Sequence, residues 1–298
     1  MRNNTFSCTK NDVTSVQTKT NNTGNLYAGP LISVIIPVFN ASQTIERTLE
    51  SIENQTYKNF EVILVNDGST DDSCEIITRY INARTNSSGI SYQLLHQVNK
   101  GVSVARNFGL RSATGAFVAL LDADDEWLPE KTEKQLAVLQ NDPQIDLIGT
   151  NFNNGVIFFS GYAKTKKLHL VTLKQLLYKN FFATPTIIYR RAIVEKDIFF
   201  NEGMKFMEDQ NYWMRICLAG FSCAFLNENL VIAGNGKPPF GHAGLSSNLP
   251  AMEKGELYNL RHVYENKAIG VVEYNFLKLF STLKFLRRLF ISSLRKNV

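Results

Sequence analysis

The chain has 298 residues, 44% of them hydrophobic, enough to bury a substantial core as one large α/β domain or one domain with additions. Its four cysteines, Cys8, Cys74, Cys217 and Cys223, show no CxxC or Cys/His spacing, which argues against a zinc centre and a disulfide framework and fits a reducing compartment. The net charge of +5 is local: six basic residues and no acid follow Tyr274, the remainder sums to −1, and a general affinity for nucleic acid is not implied.

Residues 1–29, rich in Asn, Thr and Ser, bury too little to offset their ordering entropy and are expected to form a mobile polar leader. They lack the apolar stretch of a secretory signal, and no run of about 18 apolar residues offers a membrane span, so a cytoplasmic protein is expected. Residues 33–38 form a continuous apolar run, as an internal parallel strand does. Asn40 is placed to cap a helix, with Gln43 three residues on and Ile45, Leu49 and Ile52 on one face. The alternation continues: strand over 60–65, helix over 71–84, strand over 90–95, helix over 102–111, strand over 116–121, and a helix after Pro129 carrying Leu136 and Leu139. Such alternation predicts βαβ crossovers and a mostly parallel sheet covered on both faces, with ligands bound beyond the carboxyl ends of its strands. Three strand ends, at Asn40, at Asn66-Asp67 and at Asp122 to Asp125, should open onto one crevice.

Beyond residue 150 the pattern is irregular, with a Gly/Asn-rich piece over 151–161, a helix over 172–179 and a strand over 186–189. A helix over 207–216 carries its acids in the first turn and should end at Gly220. In the tail, a helix would set Phe276, Leu279, Phe280, Leu283, Leu286 and Phe290 on one broad face among basic residues. Such a helix over 274–296 can lie in an anionic membrane surface, the reading favoured here; packing on the domain before it or in a homodimer interface is the alternative.

Asp122-Ala123-Asp124 closes the apolar run 116–121. Residues i and i+2 of an extended segment project the same way, so both carboxylates can converge on one ligand. Hard divalent cations, Mg²⁺ or Mn²⁺, take such oxygens and bridge to phosphates; helix caps and solvated turns use the same residues. Asp67, where a strand breaks into a Gly-Ser turn, can accept an N–H from a nucleobase or simply cap the next helix. Arg106 can pair with phosphate or base oxygens, or be a solvated helix arginine. Glu208-Asp209 sits in a helix's first turn, where the dipole alone stabilises acids, yet an Asp there can take a proton from a hydroxyl nucleophile. His242 lies in a Gly/Pro-rich loop of the kind that covers active sites, and is a metal candidate or merely exposed.

Together these blocks resemble glycosyltransferase family 2, the inverting enzymes of GT-A fold. The resemblance is carried by Val34-Ile35-Ile36-Pro37-Val38-Phe39-Asn40, by Val65-Asn66-Asp67-Gly68-Ser69, by Asn99-Lys100-Gly101 through Ala105-Arg106-Asn107, by Leu121 to Asp125 with Trp127-Leu128, and by Glu208-Asp209 with Trp213 and Arg215. It covers about residues 31–220. It implies a Rossmann-like, mostly parallel central sheet with helices on both faces, a catalytic domain over 30–248 divided at 125 into nucleotide-binding and acceptor-binding halves, and a helical basic extension over 249–298. By the same resemblance Pro37, Val38 and Asp67 would line the nucleobase pocket beside Asn40, Arg106 would help hold the nucleotide, and Asp122 with Ala123 would meet the ribose or donor sugar. Asp124 would bind Mn²⁺ or Mg²⁺ on the diphosphate, His242 would supply another ligand, and Asp209 would be the base, with Glu208 placing it or touching the acceptor. The implied activity is hexosyl or N-acetylhexosaminyl transfer from a nucleotide sugar, a uridine diphosphate sugar before a guanosine one. The implied acceptor is a glycan, lipid-linked or part of a surface polysaccharide, met at the inner face of the cell membrane. The alternative is a non-catalytic nucleotide-sugar-binding subunit of a membrane-associated assembly.

Overall fold

The computed structural model describes residues 16–18, 29–84, 90–155, 167–234 and 247–296, with backbone alone for 16–18 and 294–296. Within them the chain alternates strand and helix: β1 (Val16–Thr18), β2 (Ile32–Val38), α1 (Ile45–Glu53), β3 (Phe60–Asp67), α2 (Ser73–Arg84), β4 (Ser91–Gln97), α3 (Val102–Ser112) and β5 (Phe117–Leu120). Then follow β6 (Glu126–Trp127), α4 (Lys131–Asn141), β7 (Leu147–Phe152), β8 (Leu168–Val171), α5 (Leu173–Tyr178), β9 (Ile188–Arg190), α6 (Ala192–Glu195), α7 (Glu208–Leu218), β10 (Cys223–Ile232), α8 (Leu249–Glu265) and α9 (Val271–Lys296). One sheet of ten strands runs in the order β1-β4-β3-β2-β5-β9-β7-β10-β6, with β8 also on β10.

The expected parallel core is β4-β3-β2-β5, in register from Ile32 opposite Phe60 and Phe117 to Val38 opposite Asn66. Alternate residues of β2 divide the interior. Val34 and Ile36 join Ile45 and Leu49 of α1, Ile77 of α2 and Leu139 of α4 on one face, while Ile35 joins Ala105 of α3, Trp213 of α7 and Leu260 of α8 on the other. Helices therefore cover both faces.

Two expectations are corrected, and the segment read as a leader contributes a strand. Within the segment read as a leader, Val16–Thr18 adds an antiparallel strand to β4; the rest of residues 1–28 lies outside the described residues. Asn40 does not cap α1, whose N-cap is Thr44; it takes a left-handed turn (φ 51°), accepting from Thr70 N at 2.8 Å, and so ties the β2 loop to the approach to α2. The region after 150 is more regular than its composition suggests, because β7 and the ten-residue β10 pair in parallel deep in the sheet.

The tail is helical as expected, folded as α8 and α9. Helix α9 buries Leu277 in the core, donates from Ser281 Oγ to Glu253 at 3.0 Å, and pairs Lys284 and Arg288 with Glu256 of α8. Among the described residues no helix is long and apolar enough to cross a membrane.

Candidate active site

The parallel strands end together, and their last residues build one acidic rim. Asp67, 4% exposed at the end of β3, accepts from Gln97 Nε2 at 2.7 Å, Lys100 N at 2.8 Å and Gly101 N at 2.9 Å. These bonds pin the turn that starts α3 and use three of a carboxylate's roughly four lone-pair sites. Gly68 permits the sharp exit: its φ is +70°, and a Cβ would stand 2.8 Å from Asn99 N. Val38 is buried, Pro37 half-buried and Asn40 exposed, on the rim beside Phe39.

The chain leaves β5 through Leu121 into Asp122-Ala123-Asp124-Asp125. Ala123 O accepts from Thr44 Oγ1 at 2.7 Å and Thr48 Oγ1 at 3.1 Å, so α1 holds this turn against the sheet. Asp124 is exposed, and Asp125 is buried, accepting from Gly234 N at 2.6 Å. Burial first, then Asp122 and Asp124, push the Asp125 carboxyl up to about 8. Asp122 and Asp124 offer oxygen donors of the kind a hard divalent cation takes, with Asp122 Oδ1 already accepting from Arg106. Among the described residues no three His, Cys, Asp or Glu side chains gather closely enough to hold a metal ion. His242 lies outside the described residues.

Arg106 joins this rim to the second acid pair. It is 4% exposed, donating from Nη2 to Asp122 Oδ1 at 2.8 Å and from Nη1 to Glu208 Oε1 at 3.0 Å, with its guanidinium over the Phe200 ring. Burial alone lowers its pKa, but the two carboxylates outweigh that and raise it. A solvated helix arginine is thus excluded, and its contacts are to protein carboxylates.

Helix α7 starts after Met207, itself left-handed at φ 59°, and this places Glu208 and Asp209 in its first turn. Asp209 is partly exposed. Its Oδ1 accepts from Gln210 N at 2.7 Å and its Oδ2 from Asn180 Nδ2 at 3.1 Å. Burial and then Glu208 push its carboxyl up to about 7, against the pull of those bonds and of Arg106. A carboxylate there exchanges protons near neutral pH, as a general base requires.

Sequence reasoning missed the supports of this pair. Asn180, in an ordinary Lys-Asn-Phe stretch, reaches Asp209 from the loop after α5, and Asn259 of α8 donates to Met207 O at 3.1 Å and accepts from Asn211 Nδ2 at 2.9 Å. Gly255 of α8 lies so close that a Cβ would meet Phe206 O at 2.6 Å. No short-range pattern marks these residues, since each acts across the fold.

A mostly parallel sheet with acidic strand ends, extended by a mixed second half that carries an acid pair on a helix, is the GT-A class of architecture. The model for "Glycosyl transferase family 2" matches residues 33–199, more than half the chain, and the protein belongs to that family. It is 43% identical over 111 residues to an Escherichia coli protein described as "Uncharacterized glycosyltransferase YibD", covering 37% of this chain and 31% of that one. It is 27% identical over 216 residues to the glycosyltransferase GlyG of Streptococcus pneumoniae, covering 68% and 70%. The chain thus spans less than a third of the E. coli relative and 26% of a Rickettsia bellii glycosyltransferase. Among solved structures, residues 1–349 of S. aureus TarS with UDP-GlcNAc superpose at TM-score 0.62 and 24% identity, over 83% of this chain and 70% of that one. The mannosyltransferase PcManGT of Pyrobaculum calidifontis, with GDP-Man and Mn²⁺, superposes at 0.58 and 17% identity, over 90% and 87%. These two likenesses establish the fold.

Proposed function

We propose that the protein is an inverting glycosyltransferase that moves a sugar from a nucleoside-diphosphate sugar, a uridine diphosphate sugar foremost, to a glycan hydroxyl. The observation that carries this reading is Asp209, a carboxyl poised near pH 7 and joined through Glu208 and Arg106 to the Asp122 strand end. The donor would lie over the rim with its base near Pro37, Val38, Asn40 and Asp67 and its sugar near Asp122 and Ala123. TarS bound to UDP-GlcNAc and PcManGT bound to GDP-Man and Mn²⁺ support a nucleotide sugar in this fold. Asp122 and Asp124 would hold Mn²⁺ or Mg²⁺, which when bound neutralises charge building on the leaving diphosphate.

Asp209 removes the proton of the acceptor hydroxyl, whose oxygen bonds to the anomeric carbon as the bond to the diphosphate oxygen breaks. One displacement inverts that carbon, so an α-linked donor yields a β-glycoside. Glu208 fixes the start of α7 through Arg106 and acts as a positioning residue. The acceptor proposed is a lipid-linked or surface-polysaccharide glycan, and such an acceptor would itself draw the enzyme to the inner face of the cell membrane.

The test is a panel of uridine and guanosine diphosphate sugars with Mn²⁺, scoring released nucleotide and, by NMR, the anomeric configuration of the product. Metal-dependent release with inversion is expected. Donor binding without any release would point to the non-catalytic subunit, and retained configuration would dismiss Asp209 as the base of a single displacement.

A further inference from the structure

Helix α9 has two faces, and among the described residues the core packs against only one. Leu277, Ser281, Lys284 and Arg288 face α8, where Glu253 and Glu256 take up Ser281 and both cations. On the opposite side Val272 (81% exposed), Phe276, Leu279 (61%), Leu283, Leu286 and Phe290 (66%) stand bare. Their spacing is 4-3-4-3-4. At 3.6 residues per turn they fall within an arc of about 80°, the narrow a/d seam of a coiled coil and not the broader face of an interfacial helix.

The charges decide the occupant. Two of the cations expected to face lipid are already neutralised by Glu256, and Lys278 lies off the seam against the Tyr274 ring. With Phe276, Leu283 and Phe290 at a positions and Val272, Leu279 and Leu286 at d, the e positions are Glu273, Phe280 and Arg287. An antiparallel two-fold pair sets Val272 on the partner's Phe290, Phe276 on the partner's Leu286 and Leu279 on the partner's Leu283. In that same register Glu273 meets the partner's Arg287, and Arg287 the partner's Glu273. Arg287 is exposed, and Glu273 has a contact of 3.9 Å to Lys174. A parallel pair opposes no unlike charges across the seam. The helix is thus complementary to itself in one orientation, as an isologous contact requires.

We propose that α9 is a homodimer interface, in which two copies of the chain pair their α9 helices antiparallel through this seam. Twelve such side chains bury on the order of 1,000 Å², the low end for a specific contact, so dissociation in the micromolar range is expected.

Sedimentation equilibrium of the full chain across micromolar concentrations tests this, with circular dichroism and thermal melting as folding controls. The wild type should pass from monomer to dimer. Leu279→Glu, which changes a side chain exposed in the monomer, should keep the fold and weaken the dimer at least about a hundredfold by burying an unpaired charge. Glu273→Arg and Arg287→Glu should each weaken it about three- to tenfold, and the double reversal should restore it. A monomer throughout, a dimer indifferent to Leu279→Glu, or a double reversal as weak as the single changes would overturn the proposal. So would flotation of a monomeric chain on phosphatidylglycerol–phosphatidylcholine vesicles that Leu279→Glu abolishes, which would assign the seam to lipid.

Discussion

Asp209 carries two opposite consequences of one shift. With its carboxyl at about 7 against an ordinary 3.8, kcat should rise with pH through about 7 as the base ionises. The native state, however, holds a proton that the unfolded chain has released across that window, so ionisation erodes stability as pH rises from 3.8 to about 7. Asp209→Asn should lower kcat by ~10²–10⁴-fold with donor binding nearly intact, the loss expected of a general base. The same variant should lose less stability than the wild type between pH 5 and 8 in urea titrations. Asn180 donates to this carboxylate and favours its charged form, so Asn180→Ala should move the rising limb of kcat to higher pH. Arg106 is a different case. Arg106→Met would leave the Glu208 and Asp122 carboxylates without their shared cation, one of them deeply buried, and should cost about 3–5 kcal/mol in urea unfolding.

At the scale of elements, the start of α7 depends on α8. Met207 adopts its left-handed turn while Asn259 holds its carbonyl, and Gly255 lets the two segments approach. Gly255→Ala should force Phe206 and Met207 away, lowering both melting temperature and kcat while donor KM changes little. Asn259→Leu should do the same, at about 1–3 kcal/mol for the buried partners left unpaired. This buttress also marks the limit of what local sequence shows. Strands β2, β3 and β5 were legible because internal parallel strands are unbroken apolar runs with polar carboxyl ends, and the places of Asp67 and Asp122 at those ends followed from them. Strands β7 and β10 were not. Gly149 sits in β7 because a Cβ would meet the Phe182 ring at 2.7 Å, and β10 shifts register between Leu226 and Val231, so neither shows clean alternation. Arg106 looks like any helix arginine, because its partners lie 16 and 102 residues away.

For the whole molecule, the strands before and after residue 125 share one sheet through the β5–β9–β7 pairings, and Arg106 ties Asp122 beyond β5 to Glu208 at the start of α7. A donor seated on the rim would therefore stabilise the start of α7 as well, because Asp122 belongs to both the strand end and the Arg106 bridge. Binding to the native state alone adds RT ln(1 + [L]/Kd), about 2.7 kcal/mol at a hundredfold excess over Kd. If Asp122 and Asp124 share a cation with the diphosphate, donor and Mn²⁺ should raise Tm together by more than the sum of their separate effects. Asp124→Asn, at an exposed position, should leave the unliganded Tm nearly unchanged and remove that synergy. Thermal melting of both proteins with each ligand alone and combined measures it. Equal synergy in the variant would move the metal away from Asp124, and strictly additive shifts in the wild type would separate the cation from the donor altogether.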